Sequence, residues 1–157
     1  MKNIKFVIKR ENVYKHIFTA SAYTARAREA MGIPPGMVER MVITADDKKA
    51  INPQIDNAIN EAYSYIARYF ANSNVNFTQD NDGGYYAFDI GTPDNYPGGN
   101  GEKLAQCVES YIANSVLQNW YASIKPDEGS LIAVQAQNNA ATMQLLLTQR
   151  EKPTSTT

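Results

Sequence analysis

Apolar and polar positions alternate from the start of the chain. In residues 2–10, KNIKFVIKR, Ile4, Phe6 and Ile8 fall on one side and Lys5, Val7 and Lys9 on the other, the period-2 pattern of a strand with one buried face. From Val13 the period lengthens. Val13, Ile17, Ala20, Thr24, Ala27 and Met31 recur at spacings of four and three, which predicts a first helix. Gly32 closes it, with Pro34 and Pro35 just beyond. Residues 33–47, IPPGMVERMVITADD, keep no period and read as an irregular connection. Met37, Val38, Met41, Val42 and Ile43 are much apolar material for a loop, to be packed over the core or against another subunit.

A second helix is predicted through Ile55, Ile59, Ala62, Ile66, Tyr69 and Phe70, starting either at Thr44 with Asp47 or at Asn52-Pro53. Residues 75–79 and 85–90 alternate on each side of Asp82-Gly83-Gly84, the turn chemistry of a hairpin that can join the first strand. The glycine- and proline-rich loop 91–101 follows, with Asn100 or Gly101 as cap of a third helix. That helix carries the widest stripe: Leu104, Val108, Tyr111, Ile112, Val116, Leu117, Trp120 and Tyr121. Lys125-Pro126-Asp127 then reads as one helix ending and another beginning, because proline disfavours helix in the residue before it yet fits a first turn. A fourth helix turns Ile132, Ala136, Ala140, Met143 and Leu147 inward as far as about Arg150. The expected fold is mainly α, of the α+β type: a four-helix antiparallel bundle with a small antiparallel sheet made of the N-terminal strand and the hairpin. One domain spans residues 1–152 and a disordered tail residues 153–157. Trp120, Tyr121, Pro126 and Asp127 form the corner of a helical hairpin, with the indole filling the core rather than stacking on a ligand.

Composition narrows the classes. A chain of 157 residues can bury roughly 68–70% of the surface that its unfolded form exposes, so a core needs no staples. A single cysteine, Cys107, precludes an internal disulfide, and the N-terminal residues hold no apolar run of the length of a signal peptide or membrane span, which makes the cytoplasm the expected compartment. Fifteen Lys and Arg against sixteen Asp and Glu give a net charge of -1, a weak pull toward nucleic acid.

Catalytic chemistry is sparse. The single histidine, His16, and Cys107 have no partner at metal-ligand spacing, so no metal is expected. Asp80-Asn81-Asp82-Gly83 opens like a calcium loop, but Tyr85, Tyr86 and Ala87 stand where further oxygen ligands belong. GGNGEK, residues 98–103, fails the phosphate-loop pattern because Glu102 precedes Lys103 and Leu104 follows it. Glu61, Asp89, Asp94, Glu102 and Glu109 share no spacing that requires two acids to converge. An enzyme is not expected.

Two stretches resemble known families. Residues 51–70, INPQIDNAINEAYSYIARYF, are similar to the helix of head-to-tail connector proteins of tailed bacteriophages: an acidic start, spaced aliphatics, a central alanine and a terminal Ile-x-x-Tyr. YYAFDIGTPDNY, then LAQCVESYIANSVLQNWYASIKPDE and LLLTQREKP, resemble an uncharacterised family encoded among virion structural genes of phages and prophages of gut bacteria. Pro93, Asn95, Trp120, Tyr121, Lys125, Pro126, Asp127, Arg150 and Pro153 occupy that family's marker places. The small, flexible Gly91-Thr92 and residues 98–101 depart from it. The resemblance implies a non-enzymatic virion protein of the neck or tail. It would act in the virion after assembly in the host cytoplasm, ringed with copies of itself beside portal and other neck or tail proteins. DNA passes nearby without specific binding, and neither cofactor nor membrane is implied. For docking onto neighbours it points to the 33–43 and 91–101 segments, above all Ile33, Pro34, Pro35, Met37, Val38, Met41 and Tyr96, and to the polar tail. The alternative is a small cytoplasmic helical adaptor or regulator of a bacterial mobile element.

Overall fold

The computed structural model describes residues 1–79 and 83–152. Along the chain run β1 (Lys2–Lys9), α1 (Arg10–Ala30), α2 (Pro35–Met41), a 3-10 turn (Ala45–Asp47), α3 (Lys48–Tyr69), β2 (Ser73–Thr78), β3 (Tyr85–Thr92), α4 (Asn100–Ile124) and α5 (Pro126–Thr148). The protein is mainly helical, with a small antiparallel sheet of order β1-β3-β2. Phe6 faces Phe88 across the first pair, their rings stacked with centroids 4.7 Å apart, and Val75 faces Phe88 across the second. The sheet's inner face is Phe6, Ile8, Tyr86, Phe88 and Ile90, all buried, as strict alternation requires. Gly83 and Gly84 both take positive φ at the hairpin, the conformation glycine adopts without a steric penalty. Residues 80–82 and the proposed tail at 153–157 lie outside the described residues.

α4 is the common neighbour. It packs against α1, α2, α3, α5 and β1, and Leu104, Val108, Ile112, Val116 and Leu117 are each at most 2% exposed. Burying each such side chain stabilises the fold by roughly 1.5–3 kcal/mol. The long helices gather round this hub. Gly129 lets α5 approach closely: a Cβ there would stand 3.3 Å from the Ala122 backbone nitrogen.

Five α-helices are seen among the described residues, where four were expected. The additional one, α2, lies in the connection read as irregular. Seven residues starting at Pro35 are too few to display a period, although Pro in the first turn is a helix-start signal. The second half of the α1 stripe also differs from expectation. The buried line runs Val13, Ile17, Ser21 and Ala25, while Met31 is 73% exposed. Ser21 escapes the penalty of burial because its hydroxyl donates to the Phe18 carbonyl and accepts from the Ile43 N–H at 2.9 Å. The earlier of the two expected starts is the one used: a capping box between Thr44 and Asp47 opens the 3-10 turn, which runs directly into α3 at Lys48. Pro53 therefore lies inside the helix, and Asn52 accepts a hydrogen bond from the Tyr14 hydroxyl instead of capping.

Candidate functional site

α4 and α5 meet at Lys125-Pro126-Asp127 as the sequence predicts, but the Trp120 indole lies at the edge of the core instead of filling it. Lys125 is at once the last cap of α4 and the first of α5, its carbonyl accepting from the Glu128 and Gly129 N–H groups and its ammonium pairing with Asp127 at 2.5 Å. Tyr121 is buried. Trp120 is half-buried, and its indole N–H donates to the Arg40 carbonyl at 2.9 Å, holding the end of α2 against α4. A further tie had no signal in the sequence. Arg28, in the last turn of α1, donates from Nε and Nη2 to the two oxygens of Glu128, at 2.7 and 2.9 Å. Glu128 is 4% exposed, so this fork satisfies a carboxylate that would otherwise be costly to bury. Residues 28 and 128 are too distant in sequence for any periodic rule to couple them.

Of the hollows among the described residues, two hold hydrogen-bonded tyrosine–carboxylate pairs. One, of about 270 Å³, opens between α3, α4 and α5 where Ala58, Ala136 and Ala140 leave space. The Tyr111 hydroxyl donates to Glu61 at 2.6 Å, and Tyr65 meets the Tyr111 ring edge-on. Burial and the Glu61 carboxylate raise the Tyr111 pKa, so the phenol stays a donor. Gln54 Oε1 is buried there without a partner among the described residues. The other hollow, about 300 Å³, is walled by Arg10, Asp56, Tyr86 and Phe77. Arg10 donates to the Tyr86 oxygen at 2.7 Å and to Asp56 at 2.5 Å, Tyr86 donates to Asp56, and the guanidinium lies 4.6 Å over the Phe77 ring. Burial first, then the Asp56 hydrogen bond, push the Tyr86 pKa up. Both sets offer hydrogen bonding from protonated phenols.

His16 lies half-buried on α1. Cys107 is buried on α4, its thiol donating to the Asn139 carbonyl at 3.0 Å and its pKa raised by burial. No group of three or more His, Cys, Asp or Glu placed to hold a metal occurs among the described residues, and no helix there is long and apolar enough to cross a membrane.

The expected docking residues divide. Ile33, Met37 and Val38 are half-buried, with Pro34 and Pro35 exposed beside them, so this stretch remains open to a partner. Met41 and Tyr96 do not. Met41 is fully buried and Tyr96 is 1% exposed. Met41 closes α2 onto the core, and the Tyr96 hydroxyl donates to the Leu146 carbonyl at 2.9 Å while its ring meets Phe70 edge-on. The loop around Tyr96 is stitched to α5 as well, since the Glu151 N–H donates to the Asn95 carbonyl and Asn100 donates to Gln149 at 2.9 Å. Asn100 therefore spends its amide on α5 and caps nothing.

Comparison with known protein families, curated proteins and solved structures finds no match for this chain.

Proposed function

We propose that the chain is a non-enzymatic structural protein of a tailed-phage particle, part of the head-to-tail connector (neck) or the adjoining tail, working as copies in a ring around the DNA channel. The order of motifs carries this reading: Pro93 and Asn95 after β3, Trp120-Tyr121 at the end of α4, Lys125-Pro126-Asp127 at the corner, and Arg150 and Pro153 after α5. The contacts of those residues lend it support. Trp120 ties α2 to the corner, and the Arg28–Glu128 fork ties α1 to it. The four long helices, read as an antiparallel bundle about α4, then make a stiff body able to hold a radius, while neighbours dock on residues such as Ile33, Pro34, Pro35, Met37 and Val38. A net charge of -1 suits a channel through which DNA slides without sticking.

The test is made on a phage that encodes the chain. Mass spectrometry of purified particles should find its peptides in several copies per portal ring, and an early stop codon in its gene should leave DNA-filled heads that fail to join tails. Peptides missing from the particles, together with normal yields from the stop-codon phage, would place the protein among cytoplasmic adaptors and end this reading.

A further inference from the structure

α5 faces two ways. Gly129, Ile132, Ala136, Met143, Leu146 and Leu147 are buried against the rest of the chain. On the opposite side Leu131, Val134, Asn138, Ala141, Leu145 and Thr148 recur at alternating spacings of three and four, and all six are exposed, Leu131 and Val134 at 55% and Leu145 at 62%. That spacing is the a and d pattern of a heptad seam. From Gly129 to Gln149 no residue carries a charge, whereas a solvated protein surface is roughly 25–35% charged. Depletion of charge around exposed aliphatics is what the centre of a protein–protein interface looks like.

We propose that this face pairs with the same face of a second copy, the two α5 helices parallel and in register about a two-fold axis. Charge selects that occupant. The positions flanking the seam, Gln135, Gln137, Thr142 and Gln144, are neutral hydrogen-bonding groups, so an identical face meets no like charge, while a charged partner would leave its own charges uncompensated. Asn138 selects the register. At an a position of a parallel pair it meets its own counterpart and each amide satisfies the other. Running antiparallel about the middle of the seam, it would face Ala141 instead. The seam spans residues 131–148, about 27 Å of helix, and at a helix width of about 10 Å covers roughly 270 Å² per copy. That is well under the roughly 800 Å² per partner of standard complexes, so the pairing is reversible and depends on concentration. It does not rest on the virion reading, because an isologous pair closes on two copies and a ring needs a separate head-to-tail surface.

Sedimentation equilibrium of the whole chain, from about 10 μM to about 1 mM, tests it. The average mass should climb from one chain toward two. Leu131→Glu combined with Leu145→Glu should abolish the climb and, at the dilute end of about 10 μM where single chains prevail, leave helical circular dichroism and melting unchanged, since both side chains are exposed in the single chain. Val134→Cys alone should form a covalent dimer on mild oxidation. A single-chain mass at every concentration, a climb that survives the double substitution, or cross-linking only between Val134→Cys and Leu145→Cys chains would each overturn the proposal. Particle incorporation is read separately, so either idea can fail alone.

Discussion

α4 and α5 are antiparallel neighbours of nearly equal length, and the chain uses them differently. α4 spreads its apolar residues over a wide arc and is buried by α1, α2, α3, α5 and β1. α5 divides its apolar residues between an inner face and an outer seam. A helix with one broad stripe is satisfied by its own chain. A helix with two opposed stripes is satisfied on one side and open on the other. The difference makes α4 the hub of the fold and leaves α5 with an outer apolar face that the rest of the chain does not cover.

Equal truncations in the two helices should have unequal costs. Ile112→Ala in α4, at a fully buried position, should cost roughly 2–5 kcal/mol in urea unfolding, whereas Leu131→Ala and Leu145→Ala should each stay within about 0.5 kcal/mol. Similar losses at all three would show that the outer seam is structural. Next comes the tie between the helices' corner and α1. Arg28→Ala should cost about 2 kcal/mol, since it strands a buried carboxylate that water reaches only in part. Combining Arg28→Met with Glu128→Leu should recover most of that loss, and no recovery would assign the cost to packing of the arginine stem.

A smaller effect separates the hub by pH. Burial pushes the Tyr121 pKa up to about 12, above the unfolded value near 10. The neutral phenol is favoured by the fold, so its contribution is complete below about pH 10 and is lost as pH rises toward 12. Tyr121→Phe should therefore leave stability near neutral pH almost unchanged, because the buried hydroxyl makes no well-formed hydrogen bond and has only a weak interaction with Thr24. Above pH 10 it should flatten the alkaline decline by about one proton's slope. The smallest expected signal is chemical. Cys107, buried with its pKa raised, should react with a disulfide reagent only as fast as the whole protein opens. Rapid labelling of the native chain would mean that α4 and α5 part locally.

Most of the helical frame was legible because stripes of Ile, Leu and Val repeat over several turns: α3, α4, α5 and the corner at Lys125-Pro126-Asp127 fall close to where periodicity puts them. α2 was illegible because two turns hold too few apolar positions to reveal a period. The α1 line was misdrawn at Ser21, a polar residue buried by a hydrogen bond to another segment, which pattern reading scores as surface. Met41 and Tyr96 were misassigned to a docking surface for a related reason. An apolar residue in a loop has the same sequence signature whether it meets the chain's own core or another protein. Only contacts such as that of Tyr96 with Leu146 decide between the two. The tie between Arg28 and Glu128 and the network of Arg10, Asp56 and Tyr86 join residues with no local relation, so neither hollow nor fork could be foreseen.

Cryo-electron microscopy of intact particles of a phage encoding the chain would show whether it stands in the neck or tail. Density for this five-helix fold is expected in several symmetry-related copies around the DNA channel between portal and tail, with residues 33–38 against a neighbour. Complete particles whose neck and tail are fully traced without this chain would contradict it.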